Sequence, residues 1–175
     1  MNSPGSVTAG KNNWEATLWH EYCHVVTLTA TENKMPRWLS EGISVYEEIQ
    51  RNPLWGQSMT PSYRKMIIEE QALTPISEMS QAFFQAKSGQ HIMFAYYQSM
   101  LVVEFIVENY GMEALQGILG DLADGVLIND AIAAHTVPME ELEVAFLEGA
   151  LQMAIDFGED VDWTVPEPEE VNPVS

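Results

Sequence analysis

Two histidines four residues apart, His20 and His24, with Glu21 beside the first, constrain this chain more than any other feature. On an α-helix four residues make one turn plus about 40°, so both imidazoles leave one face and can reach one point. Glu21 sits at the edge of that face. The surrounding segment, Trp14 to Ala30, is helical in composition and apolar on most sides, which predicts a helix buried among others. A carboxylate follows 17 residues after His24, in Trp38-Leu39-Ser40-Glu41-Gly42. It falls on a second helix, whose first turn suits Pro36 and which runs to about Gln50. Gly42 inside that helix costs about 1 kcal/mol relative to Ala, which a close crossing of these two helices would explain.

Arg51-Asn52-Pro53 and Gly56 end the second helix. Shorter helices are expected over 61–72 and 76–87. A strongly apolar helix is expected from about Ile92 to Tyr110, with Gly111 as its C-cap, and two or three more within 112–155. The β-branched alternation that marks sheets is scarce, so the fold is expected to be mainly α. Residues 1–11 are polar and read as a flexible lead-in, 12–157 as one helical domain. Residues 158–175 read as an acidic, disordered tail, because 159–170 hold six acids and two prolines. A chain of 175 residues, 46% apolar, is long enough to bury a core within that one domain.

Twenty-six acidic residues stand against seven Lys and Arg, a formal net charge of −19. Such a surface repels phosphate backbones and anionic membranes, which argues against nucleic-acid binding and favours cationic partners and metal ions. No apolar run reaches the roughly 18 residues of a membrane span, so membrane insertion is not expected in this segment. The stretch Met1-Asn2-Ser3-Pro4-Gly5-Ser6 has neither a basic region nor an apolar run and does not read as a signal peptide. Cys23 is the only cysteine, which excludes an intrachain disulfide. Neither feature assigns a compartment.

His20-Glu21-Tyr22-Cys23-His24 is the H-E-x-x-H arrangement, in which two histidines bind zinc and the glutamate acts as base. A hydrolytic zinc site needs a third protein ligand and one open position, and Glu41 supplies the third. The segments WEATLWHEYCHVVT, MPRWLSEGISVYEE and FAYYQSMLVVEFIVENYG carry a further likeness. Over roughly residues 12–153 the chain resembles the gluzincin metallopeptidases, and within them the peptidase MA-like family often found beside tetratricopeptide repeats. The resemblance implies a helical zincin-like catalytic domain with the active-site helix packed on the helix of the glutamate ligand. It implies Zn2+ held by His20, His24 and Glu41, Glu21 as catalytic base, and a peptide or protein substrate. It further implies a tetratricopeptide-repeat region elsewhere in a longer protein. Gluzincins of this branch often place a tyrosine hydroxyl on the developing oxyanion, and Tyr96 and Tyr97 are both candidates. The helix layout groups Tyr97 with Glu104 and Glu108 on a polar side and Tyr96 with Met100, Val103 and Val107 on a buried side, which favours Tyr96.

Two departures stand against that pattern. The thermolysin-like branch has a carboxylate four residues after the third ligand, where this chain has Val45. A zinc-bound histidine needs a partner for its other nitrogen, and either Glu48 or a backbone carbonyl would serve. Gluzincins also carry a β-containing subdomain ahead of the first active-site helix, whereas only about 12 residues precede it here. The resemblance therefore implies a fragment of a longer protein, with the upstream β subdomain largely absent.

Cys23 projects away from Glu21 and reads as a small buried thiol. His91 and His135 read as surface or capping residues, and Trp14, Trp19 and Trp38 as core. Together these features point to hydrolysis of a peptide bond by a metal-activated water, with Glu21 as general base. The alternatives are a metal-stabilised binding or scaffold module that cleaves nothing, and hydrolysis of a non-peptide amide by the same chemistry.

Overall fold

A computed structural model describes residues 13–158. The expected lead-in and, but for Gly158, the expected acidic tail lie outside the described residues. Within them the chain is helical, with no strand, as the scarcity of β-branched alternation predicts. In chain order the helices are α1 (Trp14–Ala30), α2 (Arg37–Arg51), α3 (Pro61–Ile68), α4 (Met79–Ala82), α5 (Gly89–Tyr110), α6 (Met112–Ala123), α7 (Ile128–His135) and α8 (Met139–Asp156). A short 3-10 turn, Ile76–Glu78, leads into α4. The regions expected to be helical over 61–72 and 76–87 are therefore shorter than the composition suggested.

Local chemistry sets several of these boundaries. The Asn13 side chain accepts a hydrogen bond from the Ala16 amide, and Thr60 and Ser88 cap α3 and α5 in the same way. Pro61 follows at the first position of α3, where its missing N–H costs nothing. Pro36 turns out to be the N-cap of α2, in extended conformation, and not a residue of its first turn. Helix α5 ends at Gly111 with φ 84°, a left-handed conformation in which glycine meets no Cβ penalty.

Helix α2 lies at the centre, packed on α5 along one side and on α1 along another. Trp38, Leu39, Ile43, Val45 and Tyr46 of α2 join Met100, Val102, Val103 and Ile106 of α5 in one continuous core. Full burial of side chains of this size contributes about 1.5–3 kcal/mol each. Gly42 allows the closest approach. A Cβ there would fall on the carbonyl of Ser99 and crowd Cγ2 of Val103. The crossing that requires a glycine is thus between α2 and α5, and not between α2 and α1 as expected.

Helix α1 is not enclosed by other helices, contrary to its all-round apolar composition. Only Cys23 is buried, while Trp14, Leu18, Tyr22, Val25 and Val26 stay between 46 and 64% exposed. The reason is geometric: α1 packs on α2 along one flank and touches α6 only slightly, and nothing described covers the rest. Trp38 is core, as expected, whereas Trp14 is exposed and Trp19 half-buried.

On α5 the two tyrosines exchange the places the helix layout gave them, while Met100 and Val103 are buried as expected. Tyr97 is fully buried and stacks on Tyr63 at 4.7 Å between ring centroids, whereas Tyr96 is only partly buried. Glu104 and Glu108 do mark Tyr97's side farther along, but α3 and α8 cover the N-terminal half of that side through Tyr63 and Met153. A helix of 22 residues meets different neighbours along its length, which one polarity pattern does not resolve.

Gly42→Ala is expected to destabilise the protein by about 1–3 kcal/mol, because the crossing leaves no room for a methyl group. Gly120→Ala has open space in α6 and should be neutral or stabilise by up to about 1 kcal/mol. Urea denaturation of both variants checks the pair, and equal effects would refute the close-crossing account.

Candidate metal centre

The one-turn spacing in α1 brings the two imidazoles edge to face, with ring centroids 4.6 Å apart and Nε2 atoms 3.0 Å apart. Helix α2 brings Glu41 to the same point. Its Oε2 lies 3.3 Å from Nε2 of His20 and 3.3 Å from Nε2 of His24. His20, His24 and Glu41 form the group of potential metal ligands found among the described residues. All three side chains are largely withdrawn from solvent, between 13 and 20% exposed. Glu21 follows His20 on α1 and is exposed.

The outward nitrogens are held as well. Nδ1 of His20 lies 2.6 Å from Oε1 of Glu48, so the ring N–H donates to that carboxylate. Nδ1 of His24 lies 2.8 Å from Oγ of Ser40 and 3.3 Å from Oγ of Ser44. Of the two partners open at Val45's expense, the structure therefore has Glu48. Ser40, Glu41, Ser44 and Glu48 share an arc of about 100° on α2, which is why one helix face can serve both imidazoles. Each Nδ1 is thus engaged by a residue of α2, which orients both rings so that their Nε2 atoms face the shared point.

Sequence reasoning passed over Ser40, Ser44 and Arg37. Their signal was spacing: Ser40, Ser44 and Glu48 recur every four residues beside Glu41, and Arg37 lies four before it. Nε of Arg37 donates to Oε1 of Glu41 at 3.3 Å, and its Nη2 donates to the Tyr96 hydroxyl at 3.0 Å. Tyr96 thus meets the site through Arg37, whereas Tyr97 lies in the core. Cys23 is free and buried, as expected. His91 sits beside the Ser88 cap of α5, and His135 ends α7 paired with Asp121 at 3.0 Å. A cavity of about 690 Å³ lies on another flank of α1, lined by Trp14, Leu18, Trp19, Tyr22, Arg51 and Trp55, and excludes the histidine pair.

A family model of the Peptidase MA superfamily matches residues 5–148. The chain belongs to the Peptidase MA superfamily. No curated protein and no solved structure matches it. Membership supports a peptidase-like enzyme, and the match spans both helices that carry the cluster. In this superfamily member the three donors converge from two helices that are already packed together.

Electrostatics at the cluster follow from that packing. Burial alone would lower the His20 pKa, but hydrogen bonds and charge from Glu41 and Glu48 outweigh it and raise it to about 9. Burial would raise the Glu41 pKa, and contacts with His20, His24 and Arg37 instead bring it below the usual carboxylate value. Cys23 is pushed up to about 11 by burial and by the nearby Glu47 and Glu48, so it stays a protonated, unreactive thiol.

A pH dependence follows for chelator-treated protein. Folded His20 keeps its proton to about pH 9, against an ordinary value of 6.5 in the unfolded chain. The stabilisation from that proton is complete below about pH 6.5, declines above it and is lost as pH passes about 9. Thermal melts in chelator from pH 6 to 10 should show the decline. Glu48→Gln should flatten it, and an unchanged slope in that variant would reject the pairing as its cause.

Proposed function

We propose that this chain is a zinc-dependent peptidase of the gluzincin type, with His20, His24 and Glu41 as metal ligands and Glu21 as general base. The observation that carries the reading is the triangle of donor atoms, with sides of 3.0, 3.3 and 3.3 Å. Ligands about 2.0–2.1 Å from a tetrahedral zinc lie roughly 3.3 Å from one another, so the donor set fits the ion. Two imidazoles and one carboxylate also match the donor chemistry of hydrolytic zinc, leaving one position for water or substrate.

Bound zinc would supply Lewis acidity, polarising the scissile carbonyl and bringing the pKa of a water toward about 7. The remaining roles belong to this chain's side chains. Glu48 holds His20 through Nδ1, and Ser40 holds His24, which fixes both rings before substrate arrives. The Glu21 carboxylate takes the proton of the attacking water and passes it to the leaving amine. Its exposure on the solvent side of α1 suits a base that must meet water and substrate. The Tyr96 hydroxyl donates to the oxyanion that forms when the carbonyl is attacked, an interaction worth about 3 kcal/mol in comparable sites.

Purified, dialysed protein should contain about one zinc per chain by elemental analysis, and Glu41→Ala should lose it. Glu21→Gln should retain zinc and lower turnover of a fluorogenic peptide by about 10²-fold or more. Chelator should abolish the wild-type signal. Full activity in Glu21→Gln would refute its role as base, and a metal-free wild type after zinc is added back would refute the metal site.

A further inference from the structure

Arg37 joins two groups to which the proposed mechanism gives separate tasks. It is one of only seven Lys and Arg residues in the chain, and it lies one helical turn before Glu41 on α2. Its Nε reaches the Glu41 oxygen that faces away from the imidazoles, Oε1, while Oε2 faces His20 and His24. Its Nη2 reaches the Tyr96 hydroxyl. The guanidinium, more than half exposed, also lies over the Phe83 ring, with Cζ 4.6 Å from its centre. Phe83 in turn meets Tyr96 edge to face at 5.0 Å. Three elements, α2, the end of α4 and α5, thereby converge on one cation.

We infer that Arg37 is a positioning residue, which presents Glu41 through a single oxygen and ties that carboxylate to the Tyr96 hydroxyl. The inference rests on the zinc reading above. Its chemistry follows from the donor inventory. Arginine has donors only, so the phenolic oxygen must accept, and the Tyr96 proton is left for another partner. Engaging Oε1 likewise favours one-oxygen binding through Oε2. A rigid planar fork suits this double task, whereas the single ammonium of lysine does not span two oxygens on different helices.

The test uses the full chain as wild type, Arg37→Ala, Arg37→Lys, Tyr96→Phe and the double variant Arg37→Ala/Tyr96→Phe. Zinc affinity is read by competition with a chromophoric chelator, and kcat and KM on a fluorogenic peptide. Arg37→Ala should bind zinc about tenfold or more weakly and lower kcat, with KM little changed. Arg37→Lys should restore neither. In kcat at saturating zinc, where the weaker metal binding no longer counts, the double variant should fall little below the worse single variant, since both substitutions then act through one hydroxyl. Unchanged zinc affinity, additive losses in kcat, or an effect on KM alone would overturn the inference, the last making Arg37 a substrate anchor instead. Thermal melts in chelator should match wild type, and a lowered melting point in both Arg37 variants would reduce the contact to a structural one and overturn it too. Failure of the zinc reading is separable: it appears as a wild type that holds no zinc, whereas equal zinc affinity in wild type and Arg37→Ala removes only the role of Arg37.

Discussion

Helix α2 must serve two neighbours at once, and the close contact at Gly42 makes that possible. On one side its backbone presses on the Ser99 carbonyl of α5, and Trp38, Leu39 and Ile43 anchor it in the core. On another it presents Ser40, Glu41, Ser44 and Glu48 to the histidines of α1. A core that packs at crystal-like density has little freedom to slide. The polar face of α2 is therefore held in register with His20 and His24 by contacts that are themselves apolar. Rigid helices on both sides suit a centre whose donors must converge within tenths of an ångström.

The cluster also shows why partly buried charge is tolerated here. Glu41 and Glu48 leave water only in the company of imidazoles and, for Glu41, a guanidinium. Each carboxylate offsets the desolvation of its neighbours, which is why His20 prefers its charged form despite burial. The strongly acidic chain sets the sign of the surrounding field. Glu41 and Glu48 supply two negative charges there, so a divalent cation at the shared point would take the place of the His20 proton.

The exposed apolar flank of α1 belongs to the same economy of packing. The helix spends one face on α2 and meets α6 only slightly, so Trp14, Leu18, Tyr22 and Val25 remain in contact with solvent. Composition treats such residues as interior. Position decides otherwise, because a helix at the edge of a small bundle has too few neighbours to cover every side.

Much of this was legible in the chain itself. The spacing of His20 and His24 required a helix and put both rings on one face, whatever surrounded them. The boundaries of α1 followed from its composition and the glycine at the end of α5 from a local rule of capping, both of which depend on neighbouring residues alone. The helical class followed in the same way from the lack of strand alternation. Tertiary structure decided the rest, since contacts between distant segments have no local signature. It chose Glu48 and Ser40 as partners of the histidines, made α5 the helix that Gly42 admits, and buried Tyr97 in place of Tyr96. It also brought Arg37 to Tyr96 across 59 positions of sequence. Periodicity tells which residues share a face, and only the packed chain tells what that face meets.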